Sequence, residues 1–187
     1  MLEEYLIQFC SPVLASLKTA GMFCVHQCDS ETLVSNVKQW NHLLNPYGLC
    51  AMILCEKEDR ALVYLFRRSS LLAILKDPEV QEFLEPYGYC RNACHPFCWL
   101  AVLKQRLEAS DGADFPHEVG IFLGYPLEDV KGFVQHQGRD CKAVGDWKVY
   151  GNVELAEQAF CRNRKCTRLY QHLYAGGKTI CQLAVAG

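Results

Sequence analysis

Residues 115–133 read FPHEVGIFLGYPLEDVKGF, and residues 141–151 read CKAVGDWKVYG. Each segment contains an apolar run that is typical of a strand, and each is followed by a turn and a helical pattern. Strands that alternate with helices favour a parallel arrangement within one sheet. The two segments therefore predict a C-terminal β-α-β-α unit with strands at 117–124 and 142–150 and helices at 126–137 and 152–174.

The rest of the chain adds strands and helices to this unit. Helix starts are marked by capping residues, such as Asp29 or Ser30 for one helix, and by first-turn prolines such as Pro78. The further predicted strands are 21–25, 49–54, 61–66 and 179–185, and the further predicted helices are 2–9, 12–19, 30–44, 70–75, 78–87 and 97–109. We expect an α/β fold in a single domain, residues 1–187, in which a mixed sheet of about five strands is covered by helices.

The composition is that of an ordinary globular protein. The chain has 187 residues, of which 50% are hydrophobic, and a formal net charge of −2. The basic residues Arg162, Arg164, Lys165 and Arg168 form one stripe on the last long helix, without an aromatic platform beside it. We therefore expect neither nucleic acid nor an anionic membrane as a partner.

The N-terminus bears on the compartment and on the state of the cysteines. Glu3 and Glu4 stand where a secretory signal carries positive charge, and no apolar run is long enough to span a bilayer. We therefore expect a cytoplasmic protein. Because the cytoplasm is reducing, the twelve cysteines are expected to be free thiols rather than a disulfide framework.

Several segments carry a resemblance to a known family. They are CSPVLASLK at 10–18, PHEVGIFLGYP at 116–126, EDVKGF at 128–133, WKVYG at 147–151 and KCT at 165–167. With these segments the chain resembles a bacterial family of uncharacterised proteins, domain-of-unknown-function family 3793, over nearly its whole length. The resemblance implies no activity, cofactor or site residue.

The candidate ligand site follows from the alternation of side chains along the predicted strands. Glu118 shares a face with two glycines, and glycine within a strand often marks the close approach of a ligand or of another backbone. On the next predicted strand Lys148 and Tyr150 share a face. Asp146 lies on that same face. If the two faces coincide, Glu118, Asp146, Lys148 and Tyr150 form one polar site. The expected ligand-binding residues are Glu118, Lys148 and Tyr150, with Lys18 as a further member. The alternative is close packing of the glycines under a helix, with Glu118 and Lys148 as a solvated pair.

Two cysteines are candidates for a reactive thiol. Cys10 precedes an expected helix start, where a thiolate is favoured, and Cys141 stands just before a predicted strand. Both lie at segments that carry or border the family resemblance. A thiol-dependent enzyme or redox protein is therefore the alternative to a ligand-binding or regulatory protein, and burial of both residues as small apolar side chains is the simpler interpretation.

A third hypothesis is a metal site at the densest group of soft ligands, Cys90, Cys94, His95 and Cys98. Four such ligands can complete a tetrahedral zinc shell. Their spacing fits neither paired zinc knuckles nor the common ferredoxin runs, and Pro96 interrupts any helix that would align them. No metal is therefore expected, and the sequence predicts neither a cofactor nor an oligomeric state. The expected partner is a small molecule.

Overall fold

The computed structural model describes residues 2–26, 29–57, 59–91, 95–110 and 115–187. Within these ranges a three-stranded sheet lies between two groups of helices, and a separate two-stranded hairpin precedes the longest helix. The helices are α1 (Glu3–Leu14), α2 (Ser30–Leu44), α3 (Arg68–Leu75), α4 (Pro78–Leu84), α5 (Pro96–Ala109), α6 (Val119–Phe122), α7 (Leu127–Gln135), α8 (Val153–Ala175) and α9 (Ile180–Leu183), the strands are β1 (Ala20–His26), β2 (Leu49–Lys57), β3 (Arg60–Arg67), β4 (Ala143–Val144) and β5 (Lys148–Val149), and short 3-10 turns occupy Asn45–Tyr47 and Glu85–Tyr87.

The central sheet is antiparallel, with the strand order β1-β3-β2. The predicted hairpin is confirmed as β2 and β3, and the predicted N-terminal strand is confirmed as β1. In the register Ala20 lies opposite Phe66, and a bulge between Ile53 and Cys55 shifts the pairing of β2 with β3. A bulge adds local twist to a sheet.

Both faces of the central sheet are covered because its side chains alternate between two apolar cores. Val63 and Leu65 of β3 pack into one core with α1, α2, α8 and α9, whereas Tyr64 and Phe66 pack into the other with α3, α4, α5 and α6. A strand that is buried on both faces reads as a continuous apolar run, as 61–66 does. The expected α/β class with helices covering a sheet is therefore confirmed.

The predicted five-stranded mixed sheet and the β-α-β-α unit are wrong. Residues 117–124 contain the short helix α6 instead of a strand, and 142–150 fold into the antiparallel hairpin β4–β5. A short apolar run fits a buried helix as well as a strand. Gly120 decides between them, since a Cβ there would lie 2.8 Å from Val130 Cγ2. Gly120 thus allows α6 to pack closely against α7.

The strand predicted at 179–185 is also wrong, because α9 occupies most of it. Thr179 caps this helix, and Gln182 completes a reciprocal capping box. The pattern Thr-x-x-Gln is a known helix-start signal, so the sequence did contain this information. The two helices predicted at 2–9 and 12–19 are instead the single helix α1, which contains Pro12.

Arg67 ties the end of α1 to the C-terminal residues. Its side chain is buried and donates to the carbonyls of Val13 at 2.7 Å, of Leu14 at 2.8 Å and of Val185 at 2.8 Å. The carbonyls of Val13 and Leu14 belong to the last turn of α1, where the backbone lacks helical partners, and Val185 lies beyond α9. Burial lowers the pKa of the Arg67 guanidinium without removing its charge.

The hairpin β4–β5 is attached to α7 mainly through Asp129. This carboxylate is 3% exposed and accepts hydrogen bonds from Trp147 Nε1, Tyr150 N and Gly151 N, each at 2.7 Å. The tip of the hairpin covers Phe160 of α8, and a Cβ at Gly145 would lie 2.2 Å from that ring. The chain therefore turns sharply at Gly145 instead of continuing as one strand.

None of the helices in the described residues combines the length and the apolar character that crossing a membrane requires.

Candidate functional site

Glu118 lies in a buried ion pair, away from Lys148. It is 1% exposed, accepts from Arg106 Nε at 2.5 Å and from the Tyr89 hydroxyl at 3.1 Å. The hydrogen bond to Glu118 raises the pKa of Arg106, while burial and the neighbouring Glu118 raise that of Tyr89. Glu118 therefore joins α5 to the segment before α6, and its charge is already neutralised by Arg106.

Lys148 lies on β5 at the wall of an apolar cavity. Its ammonium donates to the carbonyl of Gly138 at 2.6 Å and lies 5.7 Å from the centre of the Phe133 ring. An ammonium has three N–H donors, and one hydrogen bond from Lys148 is present within the described part of the chain. Lys148 thus keeps capacity for an anionic or polar ligand.

The contacts of Tyr150 attach the hairpin to α7. Its backbone N–H donates to Asp129, its hydroxyl donates to the carbonyl of Arg139 at 2.9 Å, and its ring lies against Gly132. The ring also stacks on His136, with centroids 5.5 Å apart. Burial, with the nearby Cys141 and Asp140, raises the pKa of the Tyr150 hydroxyl.

Lys18 follows α1 and approaches the hairpin from the other side. Its ammonium lies 5.0 Å from the centre of the Tyr125 ring. Burial lowers the pKa of Lys18, and the charges of Asp146 and Cys10 partly oppose this effect. The four predicted ligand residues thus surround one region, but they do not share a single pocket.

The cavity beside Lys148, which we call the aromatic cavity, has a volume of about 380 Å³. It lies between α6, α7 and the hairpin, and its wall is mostly apolar. Its lining includes Phe115, His117, Val119, Tyr125, Val130, Phe133, Trp147 and Lys148. Glu118 and Arg106 line a neighbouring cavity that shares Phe115 and His117 with the first. Glu118 and Lys148 are therefore neighbours across His117 rather than partners.

Lys18 lines a different pocket, which we call the polar cavity, with a volume of about 320 Å³. Tyr125, Asp129 and Trp147 line both the aromatic and the polar cavity. The rings of Tyr125 and Trp147 stack with centroids 4.9 Å apart, and the Tyr125 hydroxyl donates to the carbonyl of Asp146 at 3.2 Å. This stacked pair forms a common wall, with mostly apolar lining on one side and a mixture of polar and apolar residues on the other.

The two candidate thiols differ in accessibility. Cys10 is fully buried, and burial raises the pKa of its thiol to about 12, so that a thiolate is strongly disfavoured near neutral pH. Cys141 is half-buried on the segment that leads into β4. The structure gives neither thiol an adjacent general base through a hydrogen bond between described residues. Thiol chemistry stays a prediction.

The candidate metal ligands lie around the start of α5. Cys90 and Cys98 are exposed, His95 caps α5 by accepting from Phe97 N at 3.4 Å, and Cys94 lies outside the described residues. Over the described ranges, no group of three or more histidine, cysteine, aspartate or glutamate side chains is placed to hold a metal ion.

Sequence reasoning missed Asp129, Tyr125 and Trp147 as organisers of this region. Asp129 reads as an ordinary first-turn acid of α7, and nothing local reveals its burial or its three donors. Asn163 carried a readable signal, because it shares the buried stripe of α8 with Ala156 and Phe160. A polar residue at such a position requires a specific partner.

Comparison with known proteins gives a family but no activity. The profile of the family described as protein of unknown function, DUF3793, matches residues 6–184. No curated protein and no solved structure matches the chain. The match covers nearly the whole sequence and includes α6, α7, the hairpin and α8, which contribute most of the walls of both cavities. The chain therefore belongs to the DUF3793 family of proteins of unknown function.

Proposed function

We propose that the protein binds a small aromatic molecule carrying an anionic group, and that the aromatic cavity is the binding site. The observation that carries this proposal is an apolar cavity of about 380 Å³ with a half-buried ammonium at its wall. Ligand pockets in proteins have volumes of about 300–1,000 Å³ and combine apolar walls with a few polar groups that orient the ligand.

The walls favour a flat apolar body. Tyr125, Trp147 and Phe133 present aromatic rings to the cavity, while Val119 and Val130 form apolar surface between them. Aromatic groups pack well in offset-stacked or edge-to-face arrangements, and Trp147 already makes such contacts with Tyr125 and Phe160. An aromatic ligand would extend this cluster.

The charges favour an anionic substituent. Lys148 has donor capacity left after its bond to Gly138, whereas Asp129, which also lines the cavity, accepts three hydrogen bonds from the hairpin. The Asp129 carboxylate is thus committed to the fold, whereas the Lys148 ammonium keeps donors for an anionic group. His117 at the rim offers a second polar contact.

The test compares 2-naphthoate with the neutral 2-naphthalenemethanol, measured by isothermal titration calorimetry. We expect Lys148→Met to weaken 2-naphthoate binding about tenfold or more, because a charge-assisted hydrogen bond contributes about 1.5–3 kcal/mol. Binding of the neutral alcohol should be unchanged. Val144→Trp, at an exposed position on the cavity rim, should weaken both compounds by filling the mouth.

The matched control is Lys131→Met, which removes an exposed lysine of α7. It should leave the binding of both compounds unchanged. The proposal is wrong if neither compound binds to the folded protein, or if Lys148→Met and Lys131→Met weaken 2-naphthoate binding equally.

A further inference from the structure

The polar cavity contains a buried acceptor whose hydrogen-bonding capacity is unused. Asn163 on α8 is 6% exposed, and its Nδ2 donates to Asp146 Oδ2 at 2.7 Å. No described residue donates to its buried Oδ1 atom. A buried polar atom without a partner costs about 1–3 kcal/mol, and this atom belongs to a side chain that lines a cavity.

The same cavity contains a cation whose nearby anion, Asp146, makes no direct ion pair with it. Lys18 is half-buried, and within the described ranges its ammonium makes no hydrogen bond and no ion pair, only the contact with the Tyr125 ring. Burial lowers its pKa, which shows that the charged form is held at a cost. An anionic ligand group at this position would offset that cost.

The other lining residues specify a ligand that carries both charges. Arg162 and Thr19 add donors near Lys18, while the exposed carboxylate of Glu128 adds an acceptor. Asp129 is already saturated by the hairpin. A phosphate would meet Glu128 and the bare Asn163 oxygen, which both repel it, whereas a zwitterion would satisfy both kinds of group.

From this arrangement we propose that the polar cavity is a second ligand site, specific for a free α-amino acid. The carboxylate of the ligand is bound by Lys18 with Arg162, and its ammonium donates to Asn163 Oδ1. Its side chain lies against the wall of Tyr125 and Trp147. The proposal does not depend on the aromatic cavity, since the two cavities use different cations.

The experiment is a thermal-shift screen of L-amino acids, repeated for each responding compound with its α-amide and its 2-oxo acid analogue. We expect at least one L-amino acid to raise the Tm, and we expect the amide, which lacks the carboxylate, and the 2-oxo acid, which lacks the ammonium, to have no effect. Lys18→Met and Asn163→Leu should each lower the affinity about tenfold or more, measured by calorimetry.

Two controls separate this site from surface effects and from the aromatic cavity. Lys178→Met, which removes an exposed lysine after α8, and Lys148→Met should both leave amino-acid binding unchanged. The proposal is overturned if no amino acid raises the Tm, if inorganic phosphate alone does so, or if Lys18→Met binds as well as Lys178→Met. Circular dichroism of each variant verifies that it is folded.

Discussion

The central sheet and the hairpin region, residues 115–151, are held together in different ways. The sheet is covered on both faces by side chains such as Val63, Leu65 and Phe66, each fully buried. The hairpin has strands of two residues each, and at its tip Val144 is 70% exposed. It relies on Asp129 and on aromatic contacts instead. The sheet therefore forms the centre of the buried core, and the hairpin region contributes walls to both candidate cavities.

The largest loss of stability is expected when a buried side chain of the sheet is truncated. Phe66→Ala empties a fully buried ring position that packs on Tyr64, and we expect the free energy of unfolding to fall by about 3–5 kcal/mol. Urea denaturation followed by circular dichroism measures this loss. Leu169→Ala on the exposed side of α8 is the control, with a change within about 0.5 kcal/mol. Similar losses for both variants would contradict the described core.

The hairpin should respond most strongly at its polar anchor. The Asp129 carboxylate accepts hydrogen bonds from the N–H groups of Tyr150 and Gly151, and Asp129→Asn replaces one of its oxygens with an NH2 group that cannot accept them. We expect the free energy of unfolding to fall by about 2–3 kcal/mol, with faster amide exchange at Tyr150 and Gly151. Hydrogen exchange followed by NMR measures the local effect. An exposed acid of α8 gives the control, since Glu157→Gln should leave exchange at both amides unchanged. Unaltered exchange in Asp129→Asn would show that the hairpin has another anchor.

A smaller loss is expected at the hairpin tip. In Gly145→Ala the new Cβ would meet the Phe160 ring at 2.2 Å, so the tip or the ring must move, at a cost of about 1–3 kcal/mol. Gly176→Ala is the matched control, because its Cβ would have no contact shorter than 3.4 Å. Thermal unfolding compares the two variants. Equal stability of both would mean that the tip does not cover Phe160.

The smallest effect near neutral pH concerns the buried thiol between α1 and the sheet. The pKa of Cys10 rises from its ordinary value of 9.0 to about 12 in the folded protein. Because the unfolded chain loses this proton first, Cys10 stabilises the fold fully below pH 9 and progressively less up to pH 12, by about 1.4 kcal/mol per pH unit. Unfolding measured from pH 8 upwards should therefore show a shallower decline for Cys10→Ala than for the wild type.

The control for this slope is Cys24→Ala, which removes an exposed thiol of β1. Its stability should decline with pH as steeply as that of the wild type. Identical slopes for Cys10→Ala and the wild type would contradict the burial of Cys10. Iodoacetamide should likewise alkylate Cys24 in the native protein and Cys10 only after unfolding.

The same contrast explains what could be predicted from the sequence. In the sheet and its helices, local signals agree with the tertiary structure: Asp29 caps α2, Asp77 caps α4, and the run 61–66 is apolar because both its faces are buried. In the hairpin region local signals were ambiguous. The run 117–124 suits a strand or a short helix, and the choice depends on contact between Gly120 and Val130.

The candidate site was predictable only in part, for a similar reason. Lys148 and Lys18 each line a cavity, but Glu118 pairs with Arg106 on α5, which no local pattern indicates. Tyr125 and Trp147 stack only because the chain folds into the hairpin β4–β5, and the sequence pattern predicted a strand there instead. The positions of these side chains depend on contacts between distant segments, which secondary-structure propensity and hydrophobic periodicity do not predict.

The central claim, that small aromatic anions bind in the aromatic cavity, is tested most directly by the indole N–H signals in an NMR titration with 2-naphthoate. Trp147 lines the cavity, whereas Trp40 and Trp99 lie in the two cores of the sheet and act as internal references. We expect the Trp147 signal to shift and saturate while the Trp40 and Trp99 signals stay in place. A stationary Trp147 signal, or equal shifts of all three, would contradict the claim.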